Sequence, residues 1–194
     1  MRGAGQGALV AVAEQAVHVV CAGNELCRDD GAGIRVGRLL RGLDLPDWVR
    51  IHFYQEVGWD LMDLMVTCAE VIVVDATLLG LASGRVTVAR LDGLRPTGGA
   101  GVGCHAFGLP ALVELGAALC PDRRRLGVTL VGIEAERLDG FSTELSPSVR
   151  AALPEAAQRV LSELGLVELW TAQAEALSDQ VCRLDPLLQD AHGG

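Results

Sequence analysis

The sequence predicts an α/β domain in which a mostly parallel sheet lies between layers of helices. Short apolar runs typical of buried strands alternate with segments whose apolar residues recur at three- and four-residue spacing, as in amphipathic helices. Half of the residues are hydrophobic and only 4% are aromatic, so valine, leucine, isoleucine and alanine must form most of the core. A chain of 194 residues suits one domain of this kind.

The first half of the chain predicts three strands and two helices. The apolar run 17–22 stops at the turn pair Gly23-Asn24, as a buried strand would. Residues 34–43 carry one apolar helical face, and Asp29 or Asp30 is the candidate N-cap of this helix. Residues 49–54 alternate like a strand, 61–68 have one apolar helical face, and the β-branched run 70–75 predicts a strand that ends on Asp75.

The second half predicts two more strands and two more helices. Residues 85–91 alternate like an edge or antiparallel strand, 98–103 form a glycine-rich loop, 109–119 predict a helix and 128–133 predict a strand. Ser146-Pro147 has the residue types of a helix start, and Pro154 is expected to kink or split the helix that follows towards Leu164. We therefore divide the chain into a flexible N-terminal extension (1–16), one domain (17–169) and a C-terminal tail (170–194).

Charge and cysteine usage exclude several classes of protein. The formal net charge of −9 and the pI of about 4.8 argue against a nucleic-acid-binding protein, which needs a basic face. The apolar N-terminal stretch is too short to span a membrane and lacks the pattern of a signal peptide. The six cysteines include no CxxC pair and no zinc spacing, so we expect them to be reduced in a cytoplasmic protein.

Three side chains are candidates for a metal site at the carboxyl ends of the strands, where open α/β sheets bind ligands. Asp30 follows the first strand, Asp75 ends the central strand and His105 follows the glycine-rich loop. Two carboxylates and one imidazole suit a divalent transition metal such as nickel or zinc better than calcium, which takes more oxygen ligands. Each residue also has a simpler structural explanation: Asp30 as a helix cap, Asp75 as a turn residue and His105 as a helix-start residue.

Two rival active-site patterns fit the sequence less well. Residues 22–33 are rich in glycine, but they lack the G-x-G-x-x-G spacing of a dinucleotide-binding loop, and Asp29 and Asp30 would repel a pyrophosphate. Cys104 beside His105 is poor evidence for a thiol protease, because the members of such pairs come from separate segments of the chain.

Six short motifs follow one another along the chain. Residues 23–33 read GNELCRDDGAG, and further motifs are EVG at 56–58, VVDA at 73–76, HAFGL at 105–109, LVGIE at 130–134 and LSPSV at 145–149. In this order they resemble the hydrogenase maturation protease family, whose signature is G-N-x-L-x-x-D-[DE]-G-x-G. The resemblance covers roughly residues 18–165.

This resemblance implies a fold, an activity and a set of site residues. The fold is a three-layer α/β/α sandwich, phosphorylase/hydrolase-like, with a twisted, mostly parallel sheet. Asp30, Asp75 and His105 match the three metal-contacting positions, and Asp30 stands where family members carry Glu or Asp. The implied activity is removal of the C-terminal extension from a nickel–iron hydrogenase large-subunit precursor that already holds nickel. The expected partner is this precursor, and the expected metal is nickel supplied by it, or another divalent metal in the isolated protein.

Two alternatives stay open on the sequence. The protein could be a nickel-sensing chaperone or binding module that holds the precursor without cutting it, since no conventional serine or cysteine nucleophile is implied. It could also be a related peptidase with a substrate unrelated to hydrogenase. The sequence leaves three roles open for the nickel: it could polarise the scissile carbonyl, activate a water or serve for recognition alone.

Overall fold

The computed structural model describes residues 16–55, 58, 60, 61, 63, 64, 70–91, 109–119 and 127–173. Each of the strands and helices named below overlaps an element that the sequence predicts, whereas residues 167–173 are helical where the sequence predicts no helix. The strands are β1 (Val17–Ala22), β2 (Val49–Tyr54), β3 (Glu70–Thr77), β4 (Val86–Arg90) and β5 (Gly127–Glu134). The helices are α1 (Ala32–Arg41), α2 (Leu109–Leu119) and α3 (Pro147–Glu163), and a 3-10 turn (Arg28–Gly31) precedes α1.

The five strands form one sheet in the order β2-β1-β3-β5-β4. β1 pairs in parallel with β2 and β3, and β3 pairs in parallel with β5. β4 is antiparallel to β5 and lies at the edge of the sheet, so it has both properties that the alternation of residues 85–91 allowed. The mostly parallel sheet with β3 at its centre is therefore confirmed.

Helices cover both faces of this sheet. Successive residues of a strand point to opposite faces, so each central strand contributes to two apolar clusters. The first cluster joins α1 and α3 to one face, which carries Val19, Cys21, Ile72 and Val74. The second joins α2 and Leu61 to the other face, which carries Val20, Ala22, Val71 and Val73. The three-layer sandwich is confirmed. None of the helices in the described ranges is long and apolar enough to cross a membrane.

Helix α3 departs from the prediction in two respects. Ser146 is at the N-cap and Pro147 at the first helical position, as predicted, but the Ser146 side chain makes no cap hydrogen bond. The sequence predicts a kink or a split at Pro154; the helix continues past this residue, so the split is wrong. An internal proline costs a helix about 3 kcal/mol. The residues that follow it on the core face offset this cost by burial: Ala156, Ala157, Val160 and Leu161 are fully buried.

A pair of histidines joins β1 to the edge strand β2. His18 Nδ1 and His52 Nε2 are 2.9 Å apart, and the two rings stack with centroids separated by 4.9 Å. Burial lowers the pKa of both imidazoles below 6.5, helped for His18 by His52 and Arg50 and for His52 by Arg41 and Arg50. The pair is therefore held in its neutral form near neutral pH.

This pair is expected to make the free energy of unfolding fall as the pH drops below about 6.5. In that range the unfolded chain takes up protons that the folded pair, with its lowered pKa values, does not accept. Urea unfolding midpoints measured between about pH 7.5 and pH 5.5 should therefore decrease more steeply for the wild type than for the His18→Gln, His52→Gln double variant. Equal slopes for the two proteins would show that the pair does not contribute to the acid sensitivity.

Candidate functional site

The carboxyl ends of β1, β3 and β5 meet at one edge of the sheet, because these strands are parallel neighbours. Two of the predicted site residues belong to this edge. Asp30 lies in the 3-10 turn that follows β1, and Asp75 lies near the end of β3. His105 lies outside the described residues, so its place in the predicted three-ligand set stays a prediction. Among the residues that the structure describes, no group of three or more His, Cys, Asp and Glu side chains is arranged to hold a metal ion.

Asp30 is buried, with 5% of its surface exposed, and its Oδ2 accepts a hydrogen bond of 2.9 Å from the backbone N–H of Asn24. The expectation that Asp29 or Asp30 caps α1 is wrong, because Gly31 is at the N-cap and makes no side-chain cap bond. The 3-10 turn places both acids before the helix start and directs them to other partners. Asp30 therefore links the end of the loop after β1 to its beginning, at the sheet edge where the parallel strands end.

Asp75 is fully buried, and its Oδ1 accepts a hydrogen bond of 2.8 Å from the N–H of Ala76. The prediction that β3 ends on Asp75 is wrong by two residues, since the strand continues to Thr77. The reason is the pairing with β5, which extends through Thr77 opposite Glu134. Asp75 is thus held in the regular main chain of the central strand, opposite Gly132.

Close packing of α1 brings the two acid-bearing segments together. The 3-10 turn that carries Asp30 contacts β3. Gly33, at the start of α1, lies so near the carbonyl oxygens of Ala22 and Val74 that a Cβ atom there would overlap both. The first turn of the helix therefore rests on the ends of β1 and β3, directly before Asp75.

Asp29 has a structural role that the sequence did not reveal. Its carboxylate is fully buried and accepts hydrogen bonds from the N–H groups of Glu136 (3.0 Å), Arg137 (2.9 Å) and Ser146 (2.6 Å) and from the Ser146 hydroxyl (2.8 Å). It therefore ties the loop after β1 to the loop between β5 and α3. This contact also explains why the Ser146 side chain does not cap α3. The one available signal was a second acid beside Asp30 where a single cap would be enough.

Glu134 is a fourth buried carboxylate, and in the sequence it stands out only as the last residue of the LVGIE motif. It lies at the end of β5 and is 2% exposed. It accepts hydrogen bonds from the Thr77 hydroxyl (3.0 Å), from Leu79 N–H (2.8 Å) and from Leu81 N–H (3.0 Å). Glu134 thus fixes the loop that follows β3, immediately after Asp75. An acid that closes an eight-residue apolar strand was the signal for such a role.

Exposed apolar side chains lie in the loops that follow β1, β3 and β5. We call these residues the apolar rim: Leu26 and Phe141 are 56% and 88% exposed, and Leu78, Leu79 and Leu81 are also exposed. Ser142 N–H donates to Leu26 O at 2.9 Å, so the loops that carry Leu26 and Phe141 are joined. Exposed apolar groups at the edge that carries Asp30 and Asp75 are typical of a surface that meets another macromolecule.

Comparison with known proteins agrees with this fold. The sequence profile of the HycI hydrogenase maturation protease family matches residues 56–163. The chain is 33% identical over 150 residues to the hydrogenase expression/formation protein HoxM of Azotobacter vinelandii. This alignment covers 75% of the present chain and 72% of HoxM. A hydrogenase 2 maturation peptidase from a Thaumarchaeota archaeon aligns with a TM-score of 0.57 and 31% identity, over 78% of this chain and 99% of that one.

The hydrogenase maturating endopeptidase HybD of Escherichia coli has the same fold, with a TM-score of 0.60 at 24% identity, over 77% of this chain and 91% of that one. The family profile covers more than half of the present chain, and the identity to HoxM extends over most of both proteins. This chain therefore belongs to the hydrogenase maturation protease family.

Proposed function

We propose that this protein is an endopeptidase that removes the C-terminal extension from a nickel-loaded large-subunit precursor of a nickel–iron hydrogenase. The observation that carries the proposal is the pair of buried carboxylates, Asp30 and Asp75, on adjacent segments at the carboxyl edge of the sheet in a chain of this family. The nickel belongs to the substrate. Its recognition by this chain is the part of the proposal that goes beyond family membership.

The donor chemistry of this edge suits nickel. Asp30 and Asp75 supply carboxylate oxygens, and His105 would supply an imidazole nitrogen, a mixed set that divalent transition metals accept. Three protein ligands leave positions for groups of the precursor, so the ion would be shared between enzyme and substrate. In this position nickel would mark a correctly loaded precursor and could polarise the carbonyl of the scissile bond.

The surroundings of the two acids support a protein substrate. The apolar rim offers contact area beside the site, and two buried carboxylates hold its loops in place: Asp29 for the loops after β1 and β5, and Glu134 for the loop after β3. Loops fixed before the partner arrives lose little conformational freedom on binding. A preformed surface of this kind fits the docking of a folded precursor.

Intact-mass analysis of a large-subunit precursor, incubated with this protein with and without nickel loading, tests the proposal. A discrete loss of the C-terminal peptide only in the nickel-loaded sample is expected. Cleavage of both samples would remove nickel recognition from the proposal. A stable complex without any mass loss would favour the chaperone alternative.

A His105→Ala variant that cleaves the nickel-loaded precursor at the wild-type rate would exclude His105 from the ligand set.

A further inference from the structure

A cavity of about 440 Å³ opens beside the proposed site, between the end of β2 and helix α1. We call it the Arg41 cavity, and its walls include Asn24, Glu25, Arg38, Arg41, Phe53 and Tyr54. Asn24 donates its backbone N–H to Asp30 Oδ2 at 2.9 Å, so the cavity begins one hydrogen bond away from a proposed nickel ligand. Its volume lies in the range of pockets that hold small ligands or short chain segments.

The wall of this cavity carries more positive than negative charge, although the whole chain has a net charge of −9. Its one carboxylate, Glu25, is bound from two sides: Arg35 Nε lies 3.2 Å from Glu25 Oε1, and Arg38 bonds the other carboxylate oxygen. Glu25 is therefore already neutralised. Arg41 is exposed, and no carboxylate in the described part of the chain lies within ion-pairing distance of it.

Arg41 is held in place by stacking. The central carbon of its guanidinium lies 4.6 Å from the centroid of the Phe53 ring, the geometry of a cation–π contact. The contact leaves the N–H groups at the edge of the guanidinium available to an acceptor, and a carboxylate fits their fork geometry. Gly37 makes this arrangement possible, because a Cβ on that residue would come within 2.6 Å of Phe53 Cε1.

We propose that the Arg41 cavity binds a carboxylate of the precursor's C-terminal extension, with Arg41 as its ionic partner and Phe53 and Tyr54 as the apolar walls. The proposal rests on the proposed function and identifies where the segment that is removed would lie. A single carboxylate matches the net charge of the wall, two guanidinium groups and one carboxylate. A phosphate with two negative charges would fit less well. Glu25 would repel it, and Arg38, the other cation of the described wall, already pairs with Glu25.

Steady-state cleavage of the nickel-loaded precursor by Arg41 variants tests this site. Arg41→Gln is expected to lower kcat/KM by about 10- to 100-fold, mainly through KM, because a charge-assisted hydrogen bond that holds the extension is lost. Arg41→Lys keeps the charge and should recover part of the loss. Arg159→Gln is the matched control: it removes an exposed arginine of α3, which pairs with Glu155 at 3.2 Å, and should leave kcat/KM unchanged.

Synthetic extension peptides used as competitive inhibitors separate a direct contact from a structural effect. One peptide keeps its carboxylates, and the other carries Asn and Gln for Asp and Glu and a C-terminal amide. Wild type should bind the acidic peptide about 10-fold or more tightly than the neutral one, and Arg41→Gln should bind the two alike. Equal inhibition of the wild type by both peptides, or wild-type kcat/KM in Arg41→Gln, would overturn the proposal.

The same peptides distinguish failure of this inference from failure of the proposed function. If the wild type cleaves no precursor, the proposed function fails, and fluorescence anisotropy of the labelled acidic peptide then decides on the cavity alone. Tighter binding by the wild type than by Arg41→Gln would support the cavity as a carboxylate site. Equal binding by the two proteins would exclude it.

Discussion

Replacing Gly33 with alanine is expected to destabilise the domain by about 3 kcal/mol or more, although alanine is ordinarily the better helix former. Gly33 is buried at the start of α1. A Cβ there would overlap the carbonyl oxygens of Ala22 and Val74 and would lie 3.1 Å from the Val74 carbonyl carbon. Both oxygens belong to the main chain of paired strands, so neither can rotate away. The helix must instead move off the sheet at the edge that carries Asp30 and Asp75.

Urea unfolding followed by circular dichroism would measure this loss, which for a chain of this size corresponds to a fall in Tm of about 6 °C or more. Gly37→Ala adds the same methyl group to the same helix. Its Cβ meets side chains, Phe53 Cε1 at 2.6 Å and Cys21 Sγ at 2.7 Å, so a smaller loss is expected. Among the residues that the structure describes, a Cβ on Gly58 meets nothing within 4 Å, so Gly58→Ala should stay within about 0.5 kcal/mol of wild type.

The comparison among these three variants isolates the cause. Gly33→Ala and Gly37→Ala add the same methyl group to one helix, so a large excess loss in Gly33→Ala reports what its methyl group meets. An unfolding midpoint for Gly33→Ala equal to that of Gly58→Ala would show that α1 does not rest on the strand ends as described. A Gly33→Ala chain that fails to fold while the other two fold would be the expected result in its extreme form.

The elements of this fold were predictable because their signals are local. The spacing of Ile34, Val36, Leu39 and Leu40 marks α1, and the β-branched run 70–75 marks β3. Ser146 shows the limit of such signals. Its type and position correctly marked a helix start, but its hydroxyl is used by Asp29, 117 residues away.

The roles of the buried acids were not predictable for the same reason. Asp29 bonds to residues 107 to 117 positions further along, and Glu134 bonds to a loop 53 to 57 positions before it. No local pattern encodes partners at such separations, which the pairing of β1 with β3 and of β3 with β5 brings together. Local sequence could therefore place Asp29, Asp30 and Asp75 near the strand ends, but it could not show that Asp29 binds the loop between β5 and α3.

Replacing Asp30 with asparagine is expected to lower the rate constant for single-turnover cleavage of the nickel-loaded precursor at least about 100-fold. Replacing a residue that only holds a metal ligand in place already costs about 10- to 100-fold in metal affinity or activity, and loss of a ligand itself should cost more. The free energy of unfolding should fall by less than it does in Asp29→Asn, because the main-chain hydrogen bond of residue 30 can be kept. The amide oxygen of asparagine can still accept the N–H of Asn24, which Asp30 Oδ2 accepts at 2.9 Å. Activity and stability should therefore separate in this variant.

Asp29→Asn is expected to show the opposite behaviour. Its carboxylate accepts four hydrogen bonds, and the amide NH2 of asparagine would face donors in place of an acceptor. Leaving buried N–H groups without an acceptor should cost about 3 kcal/mol of stability. At a temperature well below the unfolding transition, the folded fraction of this variant should still cleave the precursor.

The two variants form a matched pair. In each, one carboxylate oxygen is replaced by an NH2 group, the net charge changes equally, and the two positions are adjacent in the sequence. Differences between them must therefore come from what each carboxylate contacts. Single-turnover rate constants and urea unfolding midpoints, measured for both variants, would show separately what each substitution does to cleavage and to stability. Wild-type cleavage by Asp30→Asn, together with loss of cleavage in folded Asp29→Asn, would reverse the assignment. The nickel-facing role would then pass to the acid that the structure places between two loops.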